Sequence, residues 1–421
     1  MNPVNPQLYY LHIPKVAGTS LSAILTDHFA ADSICPAQSW RDLGEQTLDP
    51  YRLVRGHYGV PGMERLPLAD VVTVLRKPVS QIVSMFEHMQ RDLSPWSRRL
   101  QPRDLQTKRR DVVRFLRNKQ AQHLGLVPLI SEWGEQLLGD SAKVSFDDLL
   151  ADAAESVTDS ELFNRARGTL DRAVVAGTTD HLREVIDLLC YRYGWPSIAD
   201  IPTRNRGSGT PPPLSGEVEQ IVQVDNELFA YAEQRLRKDY ADMLESLRAQ
   251  FGVTNPDPVK REVDVLLDLH AEQSFERREP ASFLEWSGGA PLWGSGWHDR
   301  ERYEDGSLYR WTGPSSKSYL ILPAMRTASM YVDLDVVACF RHPVEAHLRL
   351  SVDGREVQFF RKEARTGRQV LTGYFRHQGH PGPFCRWEFD FDSPVVPKTI
   401  DPANADTRTV GVALARISVR S

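Results

Sequence analysis

Leu8 to Leu11 is a short apolar run, and it leads directly into His12-Ile13-Pro14-Lys15-Val16-Ala17-Gly18-Thr19-Ser20-Leu21. An apolar run feeding a small-residue turn with one lysine predicts a buried strand that delivers the chain into a phosphate-holding loop. The chemistry of such a loop is backbone chemistry. Gly18 lets the main chain approach an anion closely, and the amides of Thr19, Ser20 and Leu21 fall at the start of the next helix, where unpaired N–H groups and the helix dipole favour negative charge. Lys15 adds a full positive charge. A Walker A loop needs its lysine after the second glycine, whereas here the lysine precedes the only glycine, so a nucleoside-triphosphatase reading loses its best support. Taken without context, a Gly-Thr-Ser turn is equally an ordinary helix N-cap.

A second junction of the same kind follows. Val71-Val72-Thr73-Val74-Leu75 reads as a buried strand, Arg76-Lys77-Pro78 as its exit, and Val79, Ile82, Val83, Phe86 and Met89 as the apolar stripe of a helix that Pro78 opens. Ser84 lies eight residues after Arg76, far enough into that helix to face an anion held by the guanidinium. Singly, a surface salt bridge for Arg76 and a tolerated helix serine for Ser84 explain these residues as well.

Together the two junctions resemble the sulfotransferase superfamily, in its carbohydrate-directed branch that includes the heparan 2-O-sulfotransferases and bacterial relatives. The family motif HIPKTxGTS stands here as His12 to Ser20, and the resemblance implies that Lys15, Ala17, Gly18, Thr19, Ser20 and Leu21 grip the 5′-phosphosulfate of 3′-phosphoadenylyl sulfate (PAPS). Its second motif, a strand followed by R-[DK]-P and a serine one to two turns later, stands here as Arg76, Pro78 and Ser84, implied to bind the 3′-phosphate. Lys77 stands where the family often has an aspartate. Less specific likenesses continue to about residue 250: Asn118-Lys119-Gln120 to an N-x-Q element, Val174 to Asp180 to a strand-then-cap element, Asn205-Arg206 to a nucleotide-covering segment, and Asp225 to Ala232 to a D-x-x-L-Y-x-x-A helix. The implied fold for 1–252 is a P-loop-like three-layer α/β sulfotransferase fold with a central parallel sheet.

At 421 residues the chain exceeds the size at which one core keeps growing, so two domains are expected. Its 41% hydrophobic and 25% charged residues are those of an ordinary globular protein, and a net charge of −5 argues against a general nucleic-acid-binding surface. Cys35, Cys190, Cys339 and Cys385 form no CxxC pair, so neither a metal site nor a disulfide framework is expected. No stretch of about 18 apolar residues and no signal-peptide pattern occurs. Golgi members of the resembled family carry a membrane anchor; a cytoplasmic bacterial enzyme with no transmembrane segment is the expectation here.

Residues 1 to about 250 alternate short apolar strands with helical stretches, the signature of a parallel α/β unit. Asp180 is expected to cap a helix with Leu182, Val185, Ile186, Leu189 and Tyr193 on one face, and a longer helix follows Asp225. The Gly/Pro-rich stretch 204–213 is either a disordered connection or a cover over the nucleotide, and the basic run 98–117 is expected to be a solvated helix face. A helical bridge over 253–280 leads to 281–421, where alternation in Tyr331 to Val336, Glu388 to Asp392 and Val410 to Leu414, with a hairpin turn at Asp353-Gly354, predicts an antiparallel, jelly-roll-like β-sandwich. Gly296 to Glu301 and Tyr309 to Pro314 resemble elements of β-sandwich modules attached to bacterial glycan-modifying enzymes. Trp293, Trp297 and Trp311 are either sugar-stacking platforms or core.

Sulfuryl transfer to an alcohol needs an in-line attacking oxygen, charge stabilisation and a base for the alcohol proton. Lys15 is expected to neutralise the leaving phosphate. His57, in Gly56-His57-Tyr58-Gly59, is expected to be the base, since a histidine titrating near neutrality suits a sugar hydroxyl and the resembled group carries a catalytic GH element between its two nucleotide motifs. His12 is expected to pack at the strand end. The expected acceptor is a carbohydrate or glycoconjugate. The alternatives are an ATP-dependent small-molecule kinase and a non-catalytic glycan-binding protein.

Overall fold

The computed structural model describes residues 7–16, 18–44, 46–91, 115–127, 145–198, 201, 217–252, 261–275, 283–323, 329–365, 368–376 and 384–420. Ala17, Asn205, Arg206, the stretch 204–213 and all but the end of the basic run 98–117 lie outside the described residues.

The first region is built on four parallel strands, β1 (Leu8–Leu11), β2 (Leu53–Gly56), β3 (Asp70–Leu75) and β4 (Val175–Thr178), in the order β2-β1-β3-β4. Strand alternation sends side chains to opposite faces, and both faces here are apolar. Leu8, Tyr10, Val72, Val74 and Val175 join one buried core, while Tyr9, Leu11, Val71, Leu75 and Ala176 join another. Helix α1 (Gly18–Asp27) supplies Leu21, Ile24 and Leu25 to the first core; the helices Gly59–Arg65 (α2), Lys119–Gly125 (α4), Phe146–Ala154 (α5) and Asp159–Arg172 (α6) pack residues into the second. The result is a three-layer arrangement around a parallel sheet. Helix α3 (Pro78–Arg91) follows β3, with Pro78 in its first turn as the sequence predicts.

Asp180 does not cap a helix. It sits in a 3-10 turn, Thr179–His181, and the N-cap residue of α7 (Leu182–Tyr193) is His181, which makes no side-chain cap bond. The other end follows expectation, with Gly194 left-handed at φ 63°. Helix α8 (Gln223–Phe251) runs past both cores, and the helix α9 (Glu262–Phe275), which lies within the expected bridge, packs Val263, Leu266 and Leu267 into the same core as β1 and α1.

Beyond residue 282 the chain forms two antiparallel sheets. One contains β5 (Phe283–Ser287), β7 (Glu301–Arg302), β8 (Leu308–Trp311), β10 (Ser329–Cys339), β13 (Gln358–Arg365), β14 (Arg368–Arg376) and β16 (Val412–Arg420); the other contains β6 (Gly294–Ser295), β9 (Lys317–Pro323), β11 (Leu348–Val352), β12 (Arg355–Glu356) and β15 (Phe384–Phe391). The strands β9, β10, β11, β14, β15 and β16 alternate between the sheets, as in a jelly-roll-like sandwich. Their inward residues, among them Leu320, Val332, Leu350, Leu371, Trp387 and Leu414, fill one core. The hairpin between β11 and β12 turns through Asp353 (φ 50°) and Gly354 (φ 75°), the two positive values that the Asp-Gly pair predicts.

The tryptophans expected as sugar platforms divide differently. Trp311 is buried, and half-buried Trp297 packs against Trp286 and Phe389 while its Nε1 donates to the Tyr319 carbonyl at 3.0 Å. Trp311 is thus core, and Trp297 packs against the sandwich core while staying partly accessible.

Candidate functional site

The strand order puts the site at one place before any side chain is considered. From β1 the chain crosses to β2 on one side, and from β3 it crosses to β4 on the other, so β1 and β3 are adjacent strands whose exits diverge. Ligands of open parallel sheets bind in the crevice outside such a pair of carboxyl ends. The two segments singled out in the sequence are those exits: His12 to Gly18 leaves β1 and Arg76-Lys77 leaves β3.

The β1 exit is a constrained loop. Lys15 adopts φ 66°, a left-handed conformation that costs a non-glycine residue roughly 1 kcal/mol or more. Two hydrogen bonds from the second junction hold it there: Arg76 Nη1 donates to the Lys15 carbonyl at 3.1 Å, and Gln81 Nε2 of α3 donates to the Pro14 carbonyl at 2.9 Å. Gly18, the first residue of α1, has no room for a side chain, because a Cβ would lie 1.5 Å from His12 Nε2. His12 is thus the packing residue expected of it, and its ring is the reason the helix must begin on glycine. The amides of Gly18, Thr19 and Ser20 are in the first turn of α1, where no intrahelical carbonyl reaches them.

Arg76 is half-buried and fixed from behind. Its amide donates to Gln120 Oε1 and its carbonyl accepts from Gln120 Nε2, both at 2.8 Å. Gln120 is held in turn by Asp225, whose carboxylate accepts the Gln120 and Ala121 amides at 3.1 and 2.8 Å, while Asn118 Oδ1 accepts the Val224 amide at 3.1 Å. Ser84 is half-buried on α3, three residues from Gln81 and three from Glu87, whose charge acts on Arg76. Lys77, which stands where an aspartate is common, pairs with Asp180 at the end of β4 at 2.7 Å.

Burial pushes the Asp225 carboxyl up to about 7, against the pull of the two amides and of Lys119. An unfolded aspartate titrates near 4, so from about pH 4 to about 7 the folded chain holds a proton that the unfolded chain lacks. Stability contributed by this group therefore falls as pH rises through that window. We expect the thermal stability of the wild type, measured relative to Asp225→Asn, to fall from pH 4 to pH 7; a constant difference would contradict the assignment.

His57 stands at the end of β2, its amide donating to the Gln38 carbonyl at 2.8 Å and its ring 4.3 Å from that of His12. Nδ1 lies 2.9 Å from the His12 carbonyl. A carbonyl only accepts, so Nδ1 carries the proton and, in the neutral ring, Nε2 carries the lone pair. Burial lowers the pKa of His57, with the nearby Lys15 charge acting the same way and the His12 carbonyl and Asp147 opposing. The ring is therefore neutral near pH 7 and half-buried, in the form a proton acceptor requires.

The structure thus brings Lys15, Gly18, Thr19, Ser20, Arg76 and His57 to one edge of the sheet, while Ser84 is half-buried on α3. Leu21 is buried in the core under α1, so of this residue only the backbone is available to a ligand. Sequence reasoning did not single out Gln81, Lys119, His123 or Asp147. The first supports the loop; the other three form an ionic cluster on the helices that pack against the His57 loop, with Lys119 and His123 buried and Asp147 half-buried. The only local signal for the cluster is the spacing of Lys119 and His123, four apart on one helix.

Among the described residues no group of three or more His, Cys, Asp or Glu side chains is placed to hold a metal, and no helix is long and apolar enough to cross a membrane. No family model matches the sequence, and no curated protein does. Among solved structures, the chain is similar to a family 35 carbohydrate-binding module from Clostridium thermocellum, at 11% identity over 34% of this chain and 99% of that one, with a TM-score of 0.22. It is similar to the CBM35 from Paenibacillus barcinonensis at 11% identity over 33% and 98%, TM-score 0.21. A family GH115 4-O-methyl-α-glucuronidase, BtGH115A, with specificity for decorated arabinogalactans, matches at 9% identity over 76% of this chain and 33% of that chain, TM-score 0.22. Scores this low carry no argument about function.

Proposed function

We propose that this chain is a PAPS-dependent sulfotransferase with a P-loop-like sulfotransferase fold in its first region, acting on a hydroxyl of a carbohydrate or glycoconjugate. The observation that carries the reading is the convergence, at the divergent exits of β1 and β3, of the start of α1 with Lys15, a fixed arginine and a histidine in the proton-accepting tautomer. The choice of a sulfuryl donor and of a sugar acceptor rests on the motif resemblance.

In this reading the amides at the start of α1 and Lys15 hold the 5′-phosphosulfate, and Arg76 with Ser84 holds the 3′-phosphate. A guanidinium has five N–H donors, of which the Lys15 carbonyl takes one. The acceptor oxygen attacks sulfur in line; an O–S bond forms to it as the bond from sulfur to the 5′-phosphate oxygen breaks. The hydroxyl proton passes to Nε2 of His57, and the charge appearing on the leaving phosphate faces Lys15 and the helix start. The products are the sulfate ester and adenosine 3′,5′-bisphosphate.

The test is transfer from sulfur-labelled PAPS to a panel of glycans, with proteins, small phenols and magnesium-ATP turnover as controls. Label on a glycan with release of one bisphosphate per transfer supports the reading; magnesium-dependent ATP turnover without sulfuryl transfer overturns it in favour of a kinase. Because burial holds His57 below the ordinary histidine value, the acid limb of kcat/KM is expected below pH 6.5. A limb above that value contradicts His57 as the base.

A further inference from the structure

Three ionisable side chains near the His57 loop have no part in the transfer step described above. Lys119 of α4 is 1% exposed, and its ammonium lies 2.7 Å from Asp147 Oδ1 of α5. His123, one turn further along α4 and wholly buried, places Nε2 2.9 Å from the same oxygen. Its Nδ1 is buried with no hydrogen-bond partner. Burial alone would raise the carboxyl pKa, yet Lys119 and the His123 ring hold it far below the usual carboxylate range, so Asp147 is an anion throughout the working range. Taking such a set out of water is costly and does not by itself stabilise a fold, since apolar side chains of similar volume serve as well or better. A largely buried ionic set beside a crevice therefore calls for a reason in the crevice.

The packing supplies one. The two helices that carry the set press directly on the His57 loop. A Cβ added at Gly59, two residues past His57 and at φ 58°, would lie 3.1 Å from the Phe146 ring and 3.3 Å from the His123 carbonyl. The Gly59 carbonyl is also tied to β1, accepting from Tyr9 Oη at 2.8 Å. The His12 ring lies 4.3 Å from that of His57, and of the charges that act on His57 that of Lys15 lowers its pKa and that of Asp147 raises it. Lys119 holds Asp147 ionised.

We propose that the Lys119–Asp147–His123 cluster, centred on Asp147 and carried by the two helices that pack on the loop of His57, is the positioning element for His57. The inference rests on the functional reading of this site. Its physical core, the coupling of Asp147 to His57, is nonetheless measurable without any turnover.

The experiment is histidine-resolved NMR titration of the full chain, with the His57 signal assigned from a His57→Asn spectrum, in wild type, Asp147→Asn and the double variant Asp147→Leu/Lys119→Met. The double variant replaces the ion pair by apolar groups and guards against misfolding from a stranded buried ammonium. We expect His57 to titrate at lower pH in both variants. We also expect the acid limb of kcat/KM to move down with it and kcat to fall, with unchanged affinity for adenosine 3′,5′-bisphosphate. A lowered melting temperature with an unmoved His57 titration in both variants makes the cluster merely structural and overturns the inference. If the wild type proves to transfer no sulfuryl group, the functional reading fails, while the titration still decides whether Asp147 governs His57.

Discussion

His57→Ala is expected to lower sulfuryl transfer by about 10²- to 10⁴-fold, the range that a general base contributes, and to leave the affinity for adenosine 3′,5′-bisphosphate intact. The two effects separate because His57 ends β2, whereas the groups proposed to hold the phosphates are on the exits of β1 and β3. Removing the ring also removes its contact with His12, which packs against Gly18, so the alanine variant disturbs the loop to some degree. His57→Asn controls for this. Its amide nitrogen can replace Nδ1 as donor to the His12 carbonyl but offers no basic nitrogen, so the loss should persist with the loop in place. Turnover like that of the wild type in the asparagine variant would remove His57 from the mechanism.

The second large effect concerns the join between the two regions. Helix α1 begins on Gly18 at the anion loop and ends on Asp27, a carboxylate at a helix C-terminus, where the dipole disfavours it. Arg310 of β8, wholly buried, answers that charge with Nη2 2.7 Å from Asp27 Oδ1, and its Nη1 donates to the His298 carbonyl at 3.1 Å. Around it the Leu292 amide donates to the Asp27 carbonyl at 2.7 Å, the Ala31 amide donates to the Gly289 carbonyl at 2.9 Å, and Arg300 donates to the Phe29 carbonyl. One ten-residue helix thus joins the loop after β1 to the sandwich. Arg310→Met keeps the bulk and strands Asp27. We expect it to cost about 3 kcal/mol, the lower end for breaking a buried pair, since Asp27 is partly solvated. Denaturant unfolding measures this, and a stability within about 0.5 kcal/mol of wild type, the scale of an ordinary surface substitution, would mean that the pair does not hold the join.

The parts of the site legible in the sequence are those carried by short, contiguous patterns. An apolar run, a small-residue turn and a proline after Arg76 foretold both strand exits, because strand burial, close backbone approach and helix initiation are local properties. The Asp353-Gly354 turn was legible for the same reason. The tie of Asp225 to Gln120 joins positions more than a hundred residues apart, and the Lys119–Asp147 pair joins two helices, so neither leaves a local trace. The tryptophans show the converse limit. Aromatic residues mark burial and sugar contact equally well in a sequence, and only placement separates them: Trp311 is buried, whereas Trp297 packs on Trp286 and Phe389 and stays partly accessible. Asp180 was read as a helix cap from its type, but Lys77 engages it instead.

The central claim is that the crevice recognises a nucleotide by two phosphates, one at the start of α1 and one at Arg76. Calorimetric titration of the full chain with adenosine 3′,5′-bisphosphate and with AMP, which differ only in the 3′-phosphate, tests it most directly. The account predicts that the bisphosphate binds at least about tenfold tighter, a difference of about 1.4 kcal/mol for a charge-assisted contact. Equal affinity for the two nucleotides would contradict it.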